Sequence, residues 1–209
     1  EAMEKTGEII NKVTSAFFNL NSANTNDEMQ SIAQEISPLL TAHSNDIMMN
    51  KELFHRIKIV HDSGFEGLTK EQKTLLTKTY KSFVRNGANL NDNDKRRLRE
   101  IDTKKAQLSL TFGENVLKEN NEFKLIIDQE KDLTGLPKSV IEAASINANN
   151  EGHENKWMFT LDYPSFIPFM TYAENRSLRK QMYRAFNSKG FQGNDNNNIE
   201  RVGKIAKLR

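Results

Sequence analysis

The chain of 209 residues is long enough to bury a core, and its 36% hydrophobic and 28% charged residues are typical of a folded domain. It contains no cysteine, which excludes disulfides, thiolate nucleophiles and Cys-ligated zinc. Its net charge of +2 is low for a nucleic-acid-binding protein, and no apolar run approaches the roughly 20 residues of a membrane helix. We therefore expect no nucleic-acid partner and no membrane partner.

Apolar residues at helical spacing predict five amphipathic helices within residues 1–120. The predicted stripes are Ile10, Val13, Phe17 and Leu20; Met29, Ile32, Ile36, Leu39, His43 and Ile47; Leu53, Ile57 and Val60; Leu76, Tyr80 and Phe83; and Leu98, Ile101, Leu108, Phe112 and Val116. The first helix is predicted to start with the chain and the fifth to run to about Asn120. Five helices joined by short loops predict an up-and-down bundle.

Polar residues ahead of the stripes predict where these helices begin, because their side chains can accept a hydrogen bond from the first helical turn. The predicted caps are Thr25 or Asn26, the capping-box pair Thr69 and Gln72, and Asn91 or Asp92. Pro38, which interrupts the second stripe, and His43, which belongs to it, need a separate interpretation. Proline costs about 3 kcal/mol inside a helix, so we predict that Ser37 caps a new helix with Pro38 in its first turn. His43 is predicted to be a core residue rather than a metal ligand.

The sequence pattern changes after Asn121. Two β-like runs, "FKLIIDQ" and "KWMFTLD", flank a helix that begins at Pro137, which predicts a small two-stranded element. Helix then returns through Pro164 and Pro168, and the final segment, "IERVGKIAKLR", predicts a last helix. The segments "NANNEGHENK" and "GNDNNN" are predicted to be exposed loops.

Residues 159–191 interleave aromatic residues with arginine and lysine, a composition that raises the question of nucleic-acid binding. Within this stretch, Leu178, Met182 and Phe186 recur at helical spacing and predict a packing stripe. The solvated side of that helix is predicted to carry Arg176, Arg179, Lys180 and Arg184. A second basic run, "DKRRLRE" at residues 94–100, alternates with acidic residues and also predicts a solvated face rather than a phosphate site.

No catalytic set is visible in the sequence. There is no His-Glu-x-x-His, no Gly-x-Ser-x-Gly and no phosphate-binding loop. Glu52 and His55 have the spacing used in di-iron bundles, but that chemistry needs two such pairs, and His61 faces another direction. From the residues alone we expect a helical scaffold without a metal site.

Several segments in order resemble the zinc oligopeptidases of the thimet oligopeptidase, oligopeptidase A and peptidyl-dipeptidase Dcp family. They include "SAFFNLNSANTNDEMQSIAQEISPLL", "SFVRNGANL", "LSLTFGENVLKENNEF", "LPKSVIEAA" and "FTLDYPSFIPFMTYAENRSLRKQMYRAFNSKG". The match runs nearly end to end and looks closest to the peptidyl-dipeptidases. The resemblance implies a neurolysin-like, mainly all-α ellipsoid that a deep channel divides, with this chain forming much of one channel wall.

The resemblance also implies what this chain lacks. Family members carry His-Glu-x-x-His and a further glutamate ligand in their C-terminal half, where one zinc ion activates water. None of these positions lies within residues 1–209, so the expected set of catalytic residues is none, the expected metal ligands are none, and the substrate-binding residues stay unknown. The expected cofactor of this fragment is none, with one zinc ion in the full-length parent.

The resemblance leads to a set of expectations about organisation and partners. Residues 1–120 should form the five-helix bundle and residues 121–209 the β element with further helices, together one non-catalytic N-terminal domain. Both ends of the sequence are expected to be boundaries of a fragment of a longer chain. The expected partners are short peptides, the protein's own C-terminal catalytic domain, and a second copy through surface that truncation exposes. The expected compartment is the cytoplasm, with the periplasm as the alternative. Exopeptidase and endopeptidase action stay undistinguished.

Some side chains of the aromatic and basic stretch are expected to face the channel. The candidates are Tyr163, Phe166, Tyr172 and Arg176. The alternative function is a stand-alone helical module that binds a protein partner through a groove of the bundle. A third interpretation, nucleic-acid binding through the basic faces at residues 94–105 and 176–184, predicts an affinity that falls steeply with salt.

Overall fold

The computed structural model describes residues 7–209, so the predicted helical start of the chain lies partly outside the described residues. The chain divides into two compact units. One comprises the chain up to Leu110 together with residues 204–209, and the other comprises residues 111–203. The expected division near residue 120 stays a prediction, since one helix runs through both positions.

Five helices form in the part of the chain where five were predicted. They are α1 (Glu8–Ala23), α2 (Asp27–Met48), α3 (Lys51–Asp62), α4 (Lys70–Arg85) and α5 (Asp92–Glu122), the last of which extends into the second unit. The caps act as the sequence predicts, because the Asn26 side chain accepts from the Met29 amide and Thr69 with Gln72 forms the capping box. Asn91 Oδ1 accepts the Asp94 amide at 3.0 Å and so caps α5.

The core of the first unit is a small aromatic cluster beneath α3 and α4. Phe54, Phe83 and Ala88 are buried, and the Phe54 ring lies 5.7 Å from Tyr80 and 6.2 Å from Phe83. Gly87 follows the end of α4 with φ +89°, a left-handed conformation that glycine adopts without strain.

The predicted restart of the helix at Pro38 is wrong. The helix α2 is continuous from Asp27 to Met48 with Pro38 inside it. Ser37 is not an N-cap; instead its carbonyl accepts the Thr41 hydroxyl at 2.9 Å. Proline lacks one helical N–H and its ring crowds the preceding turn, but about ten helical residues on each side keep the helix continuous around it.

The prediction of a core histidine at His43 is also wrong, because His43 is exposed. Apolar residues occur on more than one side of α2, and the predicted stripe is only partly packed: Ile47 lies against the aromatic cluster, whereas Leu39 is 64% exposed. The buried positions are Ala33 and Asn45 instead. A helix with apolar residues on several sides does not by its periodicity show which side is packed.

The second unit combines a two-stranded sheet with helices. Its elements are β1 (Leu125–Ile127), a 3₁₀ turn (Glu130–Leu133), α6 (Lys138–Asn150), β2 (Trp157–Phe159), α7 (Tyr163–Tyr172), α8 (Arg176–Asn187) and α9 (Ile199–Lys207), which ends in the first unit. The strands pair antiparallel, with Leu125 opposite Phe159 and Ile127 opposite Trp157. The described chain is thus mainly α-helical with one small β element, as the sequence predicts.

The predicted packing stripe of α8 is confirmed. Met182 is fully buried, and Leu178 and Phe186 pack against the same core as the strands. The Phe186 ring stacks on Phe166 at a centroid distance of 4.1 Å. Most apolar residues of the aromatic and basic stretch are therefore structural. Within residues 7–209 no helix is both long and apolar enough to cross a membrane.

Two segments predicted as exposed loops are partly buried. In "NANNEGHENK" the helix α6 continues to Asn150, and Ala148 is fully buried. In "GNDNNN" the side chains of Asn196 and Asn198 are buried, at 6% and 0% exposure. Polar composition alone suggested exposure, whereas asparagine can be buried when its amide finds partners.

Candidate functional site

Three of the four candidate channel-facing residues lie on the surface of the second unit. Tyr163 begins α7, Tyr172 ends it, and Arg176 begins α8. The two tyrosines are 68% and 53% exposed, and Arg176 is exposed as well. Phe166 is only 7% exposed and belongs to the core, so it has no surface at which a ligand could bind.

A tightly bonded turn separates Tyr172 from Arg176. The amide of Glu174 donates to the Thr134 carbonyl at 2.9 Å, and Asn175 Nδ2 donates to Asp132 Oδ1 at 2.8 Å. Asn175 Oδ1 also accepts the Leu178 amide at 3.2 Å and so caps α8. These bonds fix the backbone that carries the two exposed side chains.

The glycine at position 135 permits the close approach of the segments that flank this turn. Gly135 has φ +89°, and a Cβ added there would collide with the backbone carbonyl oxygen of Tyr172. Any other residue at this position would push the end of α7 away. The position of Tyr172 thus depends on a residue 37 positions earlier in the chain, which the sequence pattern did not identify.

The basic side of α8 is less uniformly solvated than predicted. Arg176, Lys180 and Arg184 are exposed, but Arg179 is partly buried and donates to the Ala173 carbonyl. This bond ties the first turns of α8 to the end of α7. The guanidinium of Arg179 has a structural partner, which removes it from the face that the nucleic-acid interpretation requires.

A basic residue just beyond α8 lies against the aromatic core. Lys189 Nζ is 4.1 Å from the centroid of the Phe186 ring and donates to Asn120 Oδ1 at 3.0 Å. Burial lowers the pKa of Lys189, and the charge of Asp162 partly opposes that shift. The cation-π contact and the amide bond anchor the end of α8 rather than present a free charge.

The Asn-rich loop is held by a carboxylate that sequence reasoning missed. Glu119 on α5 is buried, its Oε2 accepts the Gly190 amide at 2.5 Å, and its Oε1 accepts Asn194 Nδ2 at 2.8 Å. Asn198 Nδ2 donates to the Phe112 carbonyl at 3.1 Å. These partners lie more than 70 residues apart in sequence, so no local pattern could have linked them.

The described residues do not contain the donors for a catalytic zinc. No three His, Asp or Glu side chains within residues 7–209 lie close enough together to hold a metal ion. His43 and His55 are exposed, and His61 stacks on the Tyr80 ring at 3.9 Å beside Asp62. His43 lies on α2 and both His55 and His61 lie on α3, and among the described residues none of them joins a group of three donors that could hold a zinc ion.

Known proteins are similar to this sequence over most or all of its length, although no protein-family model matches the chain. Oligopeptidase A of Haemophilus influenzae is 31% identical over 185 residues, which are 88% of this chain and 27% of that protein. Dipeptidyl carboxypeptidase of Escherichia coli is 29% identical over 209 residues, which are 100% of this chain and 31% of that protein. Probable cytosolic oligopeptidase A of Arabidopsis thaliana is 28% identical over 100% of this chain.

The chain therefore spans 27 to 31% of the length of these relatives. The alignment with dipeptidyl carboxypeptidase extends over the whole sequence and so includes both compact units. The homologues of this chain are oligopeptidase A and dipeptidyl carboxypeptidase, the family of thimet oligopeptidase.

Proposed function

We propose that this chain is a non-catalytic part of a zinc-dependent oligopeptidase or peptidyl-dipeptidase that hydrolyses short peptides. The observation that supports this proposal is the similarity to oligopeptidase A and dipeptidyl carboxypeptidase over 88 to 100% of the chain. The described residues lack a zinc donor set, so the metal and the catalytic base come from sequence outside residues 7–209. No catalytic step is assigned to this chain.

The role of the chain in that enzyme is to form a wall of the substrate channel. A wall selects substrates by excluding folded proteins and by positioning an extended peptide, and both tasks need side chains on a firm backbone. Tyr172 and Arg176 meet this requirement, because both flank the turn that Asn175 and Glu174 bond to the preceding segment. Tyrosine offers a flat ring and a hydroxyl to a peptide, and arginine pairs with its carboxylates.

The proposed partners follow from the same role. They are short peptides as substrates and the protein's own C-terminal catalytic domain as the opposite wall, and the proposed compartment is the cytoplasm. The stand-alone interaction module gains no specific support from the contacts of the described residues. The proposal leaves open whether the parent removes dipeptides or cleaves internally.

The purified 209-residue chain tests the non-catalytic role. After dialysis against a zinc-containing buffer, we expect the protein sample to contain no stoichiometric zinc in excess of the buffer. We also expect the chain to leave a mixture of short peptides intact. A full-length oligopeptidase A serves as the positive control for both measurements. Peptide hydrolysis that is abolished by a chelator and restored by zinc would overturn the proposal.

A second copy is the proposed partner of the exposed apolar face of α1. Ile9, Val13 and Leu20 are 77%, 62% and 57% exposed and follow one another at helical spacing. Together with Ala16, these residues are spaced by four, three and four positions. This spacing is the same in both chain directions, so the apolar faces of two antiparallel α1 helices would lie opposite each other. Exposed apolar stripes of this kind favour association, because association removes their apolar surface from water.

Sedimentation over a wide range of concentration measures this association. We expect dimers of the natural chain at high concentration, and we expect Val13→Glu to abolish them because a carboxylate would lie in the apolar seam. Asn11→Glu, which changes a polar exposed residue of the same helix, is the control and should leave the dimer intact. A strictly monomeric natural chain would refute the association.

A further inference from the structure

An open cleft of about 810 Å³ lies in the first unit at the beginning of two helices. The first turns of α3 and α5 border it. Its charged lining consists of Lys51, Lys95, Arg96 and Arg99, with the carboxylates Glu52 and Asp92. Four cations thus face a common space. Three of them, Lys95, Arg96 and Arg99, belong to the segment "DKRRLRE", which its sequence predicts to be a solvated face.

Lys95 departs most from that expectation, because it is only 6% exposed. Its ammonium donates to the Met49 carbonyl at 2.9 Å, which satisfies one carbonyl at the end of α2. An ammonium has three N–H donors. Burial lowers the pKa of Lys95, and the nearby charge of Lys51 lowers it further, whereas Asp92 opposes the shift. The positive charge of Lys95 is therefore only partly compensated by its surroundings.

The other cations have partners that an incoming anion can replace or supplement. Lys51 pairs with Asp92 at 2.7 Å, but the two side chains are 66% and 74% exposed, so solvent screens the pair and it is weak. Arg99 pairs with Asp46 at 2.6 Å, where Asp46 is 68% exposed. Exposed pairs of this kind exchange readily with solvent and with dissolved ions.

Arg96 differs from its neighbours because the hydrogen-bond acceptor of its guanidinium is neutral. The guanidinium donates to the side-chain oxygen of Asn93, and the nearby carboxylate of Asp92 already pairs with Lys51. The beginnings of α3 and α5 add partial positive charge to the same cleft. Even when Asp46 is counted with Glu52 and Asp92, the four cations outnumber the carboxylates.

We propose that this cleft binds an oxyanion of the phosphate class. A guanidinium pairs with two phosphate oxygens at once and an ammonium supplies a concentrated charge, so Arg96 and Lys95 provide complementary donors. A phosphate dianion would take the place of Asp92 at Lys51 and neutralise the excess charge of the cleft. The inference is independent of the proposed peptidase function, since it uses neither the relatives nor the α7 and α8 surface.

Titration of the 209-residue chain with inorganic phosphate tests the site. Isothermal calorimetry at constant ionic strength measures affinity, and amide chemical shifts locate the ion. We expect saturable binding of one phosphate per chain, with shifts concentrated at residues 50–52 and 92–96. We also expect Arg96→Gln to weaken binding at least tenfold while leaving the far-ultraviolet circular dichroism unchanged, because the Arg96 side chain donates to Asn93, a neighbour on the same helix.

Arg184→Gln is the matched control, because it removes an exposed arginine from α8 in the second unit. It should bind phosphate as the natural chain does. Binding of methyl phosphate as well as inorganic phosphate would assign the site to phosphoryl groups of metabolites, and binding of inorganic phosphate alone would assign it to the free ion. Absence of saturable binding, or equal affinity in Arg96→Gln and the natural chain, would overturn the proposal.

Discussion

At the scale of single residues, Gly135 has the clearest energetic role. It has φ +89°, and a Cβ there would collide with the Tyr172 carbonyl, whereas Gly152 has φ +78° and open space around it. Alanine at either position pays about 1 to 2 kcal/mol for the left-handed backbone. Only Gly135→Ala adds a steric collision, which typically costs about 1 to 3 kcal/mol more.

We therefore expect Gly135→Ala to lower the free energy of unfolding clearly more than Gly152→Ala, as measured by urea denaturation. The amide chemical shifts of residues 173–176 should change only in the first variant, because that turn must move to admit the methyl group. Equal losses in the two variants would mean that the close approach of Gly135 to Tyr172 is not present in solution.

The residue scale is also where sequence reasoning reached its limit. The caps at Asn26, Thr69 and Asn91 were predictable, because a cap bonds to an amide two or three residues away. The burial of Glu119 and Asn198 was not, since their partners lie more than 70 residues away and their residue types usually favour the surface.

At the scale of elements, α2 contains an internal proline where its sequence predicted a break. Proline at a helix interior costs about 3 kcal/mol, and part of that cost is offset because proline also restricts the unfolded chain. Pro38 is inside α2, whereas Pro164 lies in the first turn of α7, where the missing N–H has no helical acceptor. The two prolines thus differ in context and not in chemistry.

We expect Pro38→Ala to raise the free energy of unfolding by about 2 kcal/mol, since alanine restores the helical N–H. Pro164→Ala should leave it unchanged or lower it by a few tenths of a kcal/mol, because proline is well tolerated at that position. Thermal unfolding followed by circular dichroism measures both. A loss of stability in Pro38→Ala would indicate that α2 is interrupted in solution, as its sequence first suggested.

The element types were more predictable than their packed sides. Periodicity and caps identified α1 to α5, the two strands and α8, because these signals are local. The outward orientation of His43 on α2 was missed, since apolar residues on several sides of one helix leave its orientation to tertiary contacts. The burial of Lys95 was also not predictable, because it depends on a contact with Met49, which follows α2 and lies 46 residues earlier in the sequence.

At the scale of the whole molecule, the functional conclusion comes from relatives rather than from a visible site. The chain is similar over 88 to 100% of its length to oligopeptidase A and dipeptidyl carboxypeptidase, but spans only 27 to 31% of them. Among its described residues, Tyr172 and Arg176 are exposed beside a turn that is held by hydrogen bonds, and no group of side chains could hold a metal ion. In the proposed function, the metal donors are therefore assigned to sequence outside the described residues.

The most direct test of this account is peptide sequencing of the intact native gene product that contains these residues. We predict a polypeptide roughly three times as long, in line with the share of the relatives that this chain spans, with His-Glu-x-x-His outside residues 1–209. A native product without that motif would contradict the account and would leave the peptidases as relatives by descent alone.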